Sequence, residues 1–403
     1  MFELNQSIQR VSPSPTLALT AKAKELKAQG EDVIAFTAGE PDFDTPDHIK
    51  DAAKEALDNG FTKYTPVGGI PELKKALVEK FKRDQKWDVT PEQILIGNGG
   101  KQVIAEAFGV LLNPGDEVVI PAPYWTSYPD MVKLAGGEPV VVETSVENRY
   151  LITAEELKAS ITDKTKAVII NSPSNPTGAC YTAEHLKELA DVITSLPNGK
   201  DILVMSDEVY EFITFDGFKH VSIVEAAPEI APQTLIVDAF SKSYSMTGWR
   251  VGFAAGPKEI IAAMTKCQSQ TTSNVCSIAQ YAAARAFDDN GAFPSKLQDE
   301  FWKRIQIVKE EVDKIPGLEL PFLPEGAFYA FLRVDGLIGK KNGAVEINGA
   351  SDFAAYLLDN YRVVIVPGEA FGDAGGFRIS IAVSEEQLRK GLSRIADAVS
   401  ELS

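Results

Sequence analysis

Between residues 94 and 255, short apolar runs alternate with helix-length stretches, and this constrains the fold more than any other feature of the chain. The runs at 94–96, 118–120, 167–170, 202–206, 235–239 and 251–255 read as buried strands. The segments 101–112, 126–134 and 183–194 read as helices. Turn-rich breaks such as Asn113-Pro114-Gly115-Asp116, Ser172-Pro173-Ser174-Asn175-Pro176-Thr177-Gly178 and Pro197-Asn198-Gly199 separate the elements. Such alternation predicts an α/β domain whose mixed, mostly parallel sheet is flanked by helices. From about Gly291 the pattern changes to a charged helix at 297–315, separate strands at 329–333, 363–366 and 377–381, and a last helix at 385–399. That reads as a smaller α+β domain, and a helix at 17–29 is expected to pack with it. The expected division is an N-terminal arm (1–12), a small domain (13–45 with 291–403) and a large domain (46–290).

Composition excludes some function classes. The chain has 57 acidic and 40 basic side chains, a net charge of −17, which argues against nucleic acid or an anionic membrane as partner. It leaves a small anionic substrate open, because a few local cations decide that. No window approaches the roughly 18 apolar residues of a membrane span. The first ten residues lack an apolar leader core, so no secretory signal is expected. Cys180, Cys267 and Cys276 are far apart, and His48, His185 and His220 have no ligand spacing. Neither a disulfide framework nor a metal site is expected. The default location is the reducing cytoplasm.

The chemistry concentrates at the ends of the apolar runs, where open α/β sheets bind ligands. Ser241-Lys242-Ser243-Tyr244-Ser245-Met246-Thr247-Gly248-Trp249-Arg250 lies between two of them. A lysine held there is desolvated, which frees the neutral amine for a Schiff base. Arg250 offers planar donors to a phosphate. Gly97-Asn98-Gly99-Gly100-Lys101, between a strand and a helix, either receives a phosphate or is a plain glycine turn. Its spacing is neither that of a Walker loop nor that of a dinucleotide fingerprint. Asp207 ends another run and needs a partner, either a protein group or a pyridinium N–H. Arg378, within an apolar strand, needs a carboxylate from the protein or from a substrate. Each feature alone has an ordinary structural reading. Together they fit pyridoxal 5'-phosphate.

Ordered along the chain from about Val11, further motifs join these: Thr37-Ala38-Gly39-Glu40-Pro41-Asp42-Phe43, Lys63-Tyr64-Thr65-Pro66, Pro123-Tyr124-Trp125, Asn175-Pro176-Thr177-Gly178 and Asp207-Glu208-Val209-Tyr210. The chain thereby resembles the class I aminotransferases of pyridoxal-phosphate fold type I. It is most similar to the prokaryotic Iβ-type branch of the aspartate aminotransferase group, which includes bifunctional aspartate/prephenate enzymes. The resemblance implies that Lys242 binds the cofactor aldehyde and moves the substrate proton. It gives Asp207 the ring nitrogen, Tyr210 and Asn175 the phenolic oxygen, and Trp125 the ring face. Gly100, Lys101, Ser241 and Arg250 would hold the phosphate, and Tyr64 would reach that of a second subunit in a homodimer with shared sites. Arg378, with Asn175 and Gly39, would grip the α-carboxylate, and Phe328 would line the pocket. Lys101 and Thr16 would read the side-chain carboxylate of a dicarboxylic substrate; Thr16 as a helix N-cap is an equally good reading. The chain departs from the better-known branch at Ala239, where a phosphate-binding serine stands, and lacks that branch's distal arginine near Gln268-Ser269-Gln270-Thr271-Thr272-Ser273.

The implied activity is transamination between L-aspartate and 2-oxoglutarate, with amino acids and 2-oxoacids as the small-molecule partners. Prephenate or aromatic transamination is the nearest alternative, followed by an alanine-type transaminase, a β-lyase on the same fold and a non-enzymatic regulator.

Overall fold

A computed structural model describes residues 2, 4–13 and 15–403. Met1 and Glu3 of the expected arm, and Ser14 of the expected small domain, lie outside them. Seven strands form the main sheet: β1 (Ile94–Gly97), β2 (Glu117–Ala122), β3 (Glu138–Glu143), β4 (Thr165–Asn171), β5 (Leu203–Asp207), β6 (Thr234–Ala239) and β7 (Gly252–Ala255). Their spatial order is β1-β7-β6-β5-β4-β2-β3. All neighbours are parallel except at β7, which runs antiparallel to both β1 and β6.

The strands are apolar on both faces because helices cover both faces. Val119, Val168, Val204, Ile236 and Phe253 enter one core. Their strand neighbours Val118, Ala167, Leu203, Leu235 and Ala254 enter the other, as the two-residue period of a strand requires. The edge strand β3 escaped the sequence reading. It is only half-buried, is flanked by Glu138 and Glu143, and carries Pro139, which an edge strand tolerates.

A second sheet combines β8 (Tyr329–Arg333), β9 (Val366–Pro367) and β10 (Gly376–Ser380), all antiparallel, with β10 in the centre. The single strand expected at 363–366 is two. Val363–Val364 pairs in parallel with Ile34–Ala35, and the chain then changes sheets at Ile365. The helices Ala292–Val312 and Glu385–Ser400 pack on this layer and share one core with Phe36, Phe301, Phe328 and Phe377. The helix Pro15–Ala28 buries Ala23 against Val33 and Val364. Tyr210 and Ile213, which follow β5, belong to this second core, so the main sheet's carboxyl end meets the second sheet there. No helix among the described residues is long and apolar enough to cross a membrane.

Candidate active site

The cleft forms where the carboxyl ends of β4, β5 and β6 face β10 and the segment 36–40. Lys242 lies on the four-residue helix Phe240–Ser243 that directly follows β6. Its side chain is partly open to the cleft, while protein surrounds its ammonium group, which donates to the Gly39 carbonyl. Burial pushes its pKa down to about 8, opposed by the Glu40 charge and reinforced by Arg378 and Arg250. The neutral amine is therefore available near neutrality. The Phe328 ring lies 5.8 Å from its Nζ.

Asp207 ends β5 and is buried. The Tyr128 hydroxyl donates to Oδ2 at 2.5 Å and the Val209 N–H to Oδ1 at 3.3 Å. Burial nevertheless raises its pKa to about 6, because these bonds only partly offset desolvation. A carboxylate so placed gains from a cationic N–H. Without one, the folded protein binds the proton more tightly than the unfolded chain does. This residue's contribution to stability therefore falls as pH rises from about 4 to about 6, and it stays low above that range. Asp207→Asn apoprotein is expected to melt higher than the parent at pH 7.5, by at most about 3 kcal/mol. Thermal melts should show that gain vanish toward pH 4; a variant destabilised equally at both pH values contradicts this account of Asp207.

Arg378, central in β10, is buried. It donates through Nη1 to Asn175 Oδ1 at 2.9 Å and through Nη2 to the Thr37 carbonyl at 3.2 Å. Its Nε has no hydrogen-bond partner, and no carboxylate pairs with it among the described residues. Its guanidinium carbon stacks 4.3 Å from the Tyr329 ring and 5.1 Å from the Phe371 ring. Asn175 spends its carbonyl on Arg378, which leaves its amide N–H groups for another acceptor. The Tyr210 hydroxyl meets that of Tyr329 at 3.0 Å, and burial holds its pKa well above the usual range.

Arg250, left-handed at φ 57°, packs against the N-terminus of the helix Gly100–Leu111. It donates to the Thr247 carbonyl at 2.9 Å and the Asn98 carbonyl at 3.3 Å. Gly99 has φ +83°, and a Cβ there would come within 2.5 Å of the Arg250 guanidinium. A Cβ on Gly252 would come within 2.4 Å of the Gly100 nitrogen. Only glycine permits this close packing of arginine, strand and helix start. Backbone N–H groups, helix dipole and guanidinium converge as an anion site. The Ser241 side chain, buried at the edge of this cradle, makes no hydrogen bond among the described residues.

Lys101 donates to Ser127 Oγ at 3.1 Å and lies 4.9 Å from the Trp125 ring. Burial and the nearby Arg250 lower its pKa. Thr16 is the second residue of its helix rather than the N-cap, which corrects that reading. Its hydroxyl is buried without a hydrogen-bond partner among the described residues. Phe328 is fully buried, so it supports Lys242 and Tyr210 from below rather than forming open pocket wall. Tyr64 is 90% exposed and takes no part in the cleft of its own chain. The sequence reading missed Tyr128 and Tyr329, and placed Asn171 at a strand end without a role; its amide donates to the Asp207 carbonyl at 3.0 Å. Tyr128 carried one available signal, a tyrosine one helical turn beyond Tyr124-Trp125.

These groups fit pyridoxal phosphate: an anion cradle, a depressed lysine, a buried acid short of a cation and an unpaired arginine surround one cleft. Comparison with known proteins agrees. The family profile "Aminotransferase class I and II" matches residues 31–395. An aspartate/prephenate aminotransferase of Cereibacter sphaeroides is 49% identical over 98% of both chains. An aspartate aminotransferase of Geobacillus stearothermophilus is 48% identical, again over 98% of both. The solved aspartate aminotransferase of Rhizobium meliloti superposes with a TM-score of 0.96 at 42% identity, covering 100% of both chains. That of Thermus thermophilus with maleate gives 0.91 at 41%, covering 99% of this chain and 100% of that one. The chain belongs to the class I and II aminotransferases, pyridoxal-phosphate-dependent enzymes of fold type I.

Proposed function

We propose that the enzyme moves the amino group of L-aspartate to 2-oxoglutarate in two half-reactions that share one cleft. The supporting observation is a pair of cations without a counter-charge among the described residues, Arg378 in β10 and Lys101 at the helix start. Two such cations suit a dicarboxylic substrate. A bound dicarboxylate is also named in the Thermus thermophilus structure.

When bound, pyridoxal phosphate supplies an aldehyde for the amino group and a ring that withdraws electrons. The protein's part is orientation and proton control. Arg250 and the N–H groups of Gly100 and Lys101 would hold the phosphate, with Ser241 at its edge. Asp207 would keep the proton on the ring nitrogen, and Tyr128 and Val209 fix that carboxylate. Asn175 and Tyr210 would donate to the phenolic oxygen, and Trp125 would lie beside the ring. Arg378 takes the α-carboxylate, aided by Asn175 and Gly39. Lys242, once its amine is free, would carry the proton from the substrate α-carbon to the cofactor's aldehyde carbon, and in the opposite direction in the reverse half. Lys101 and the unpartnered Thr16 hydroxyl read the distal carboxylate.

Lys101→Ala should lower kcat/KM for L-aspartate about 10- to 100-fold, the value of a charge-assisted contact, and leave L-alanine unaffected. Equal losses for both amino acids would remove Lys101 from substrate recognition. The same cation serves prephenate, and a relative is named for it. Turnover of prephenate with L-aspartate as donor therefore tests a second activity of the same site.

The working unit in this reading is a homodimer in which the exposed Tyr64 enters the partner's phosphate site. We also divide the chain into domains at 13–45 with 291–403 and at 46–290. The placement of Arg378 on the second sheet and Lys242 on the first supports closure of the two over substrate. Three unpaired cysteines suit a reducing cytoplasm.

A further inference from the structure

Behind the cleft lies a buried ionic cluster that the proposed chemistry does not use. Lys80, on the helix Pro71–Asp84, is 0% exposed. Its ammonium pairs with Glu211 and lies 3.8 Å from Asp238. It is sandwiched between the Phe81 and Phe212 rings, at 5.0 and 5.5 Å. Gln85 donates to the second oxygen of Glu211. Burial and the Glu211 charge push the Asp238 pKa well above its usual range. Burial opposes the charge on Lys80, but Glu211 and Asp238 overcome that and raise its pKa. Beside it, Glu208 accepts from Ser206 at 2.8 Å, Ser222 at 2.6 Å and His220 at 3.1 Å. Glu208, Glu211 and His220 bring ligand atoms within 4.8 Å of one another. The Lys80 ammonium on Glu211 supplies the positive charge that a metal ion would bring.

The position of this cluster in the chain gives it a role. Glu211 is one residue beyond Tyr210 and four beyond Asp207. Asp238 is four residues before Lys242, and its Oδ1 accepts from the Ala239 N–H at 2.6 Å. One buried ammonium therefore ties the segment after β5 to the end of β6.

We propose that Lys80 is a positioning residue: by bridging Glu211 and Asp238, it holds Asp207 and Tyr210 in register with Lys242. Buried ion pairs contribute little net stability over apolar replacements, so a geometric role accounts for this one better. The proposal rests on the roles given above to Lys242, Asp207 and Tyr210.

The test uses holoenzyme of two variants. Lys80→Met/Glu211→Gln removes both members of the close ion pair, and Asp238→Asn replaces the third member by a neutral isostere. The readouts are melting temperature, kcat, KM for L-aspartate and the pH midpoint of the cofactor's visible absorbance. The double variant should melt near the parent, lose about 10-fold or more in kcat with little change in KM, and shift the absorbance midpoint by at least half a pH unit. Asp238→Asn should shift the same midpoint in the same direction by a smaller amount. A folded double variant with parental kcat and midpoint overturns the proposal. If the double variant does not fold, a parental midpoint in Asp238→Asn overturns it alone. Loss of cofactor absorbance in the parent protein would instead refute the underlying site assignment.

Discussion

Lys242→Ala should lower turnover of L-aspartate by about 10⁴-fold or more while the protein stays folded. The loss is large because one amine has two tasks, capture of the cofactor aldehyde and transfer of the substrate's α-proton. Stability should hold because the ammonium group sits in an environment that disfavours its charge. Burial, Arg378 and Arg250 all push its pKa down, to about 8, and Glu40 and Asp207 only partly compensate. Removing it relieves that conflict. Lys242→Arg should be equally inactive, since a guanidinium does not give up its proton. Steady-state assays with thermal melts check both variants. Residual turnover above about 1% of parent in either variant contradicts the assignment.

The second large effect belongs to Arg378. Arg378→Leu should reduce kcat/KM for L-aspartate by about 10²- to 10³-fold, the equivalent of about 3–4 kcal/mol and within the range for one partner of a buried charge pair. The missing partner is the point. Among the described residues the guanidinium has only neutral acceptors, Asn175 Oδ1 and the Thr37 carbonyl, and its Nε is unsatisfied. A structural ion pair would show a protein carboxylate here, and its loss would unfold the chain. The leucine variant should therefore melt close to the parent without substrate and lose the stabilisation that a dicarboxylate gives the parent. Arg378→Lys should recover only part of the activity, because a point charge does not reproduce two-pronged donation to a carboxylate. A large drop in substrate-free melting temperature would reassign Arg378 to structure.

How legible these features were in the sequence follows from where their partners lie. Lys242, Asp207, Arg250 and Arg378 stood out because each interrupts or ends an apolar run, so the chain itself announced a charge in a buried place. The helices expected at 101–112 and 183–194, and the strands between them, rest on local periodicity and appear within one or two residues. Tyr128 could not be read in this way. Its bond to Asp207 joins residues 79 positions apart, and tyrosine on a helix is an ordinary core residue. Thr16 was ambiguous because a threonine near a helix start caps it or does not depending on one residue of register. The Lys80 cluster left a faint trace. Leu73, Leu77 and Phe81 mark the buried face of their helix, and Lys80 falls on that face. In a stretch as lysine-rich as Leu73-Lys74-Lys75-Ala76-Leu77-Val78-Glu79-Lys80, such a residue reads as solvated. Only the fold brings Glu211 and Asp238 to it.

The most direct test of the central claim is an absorbance spectrum of the purified, cofactor-loaded protein before and after L-aspartate is added, with no 2-oxoacid present. The account predicts a visible band that gives way to a near-ultraviolet band, and recovers when 2-oxoglutarate follows. A visible band unmoved by L-aspartate would contradict it: the fold and cofactor would stand, and the assignment of Lys101 and Arg378 to an acidic amino acid would fall.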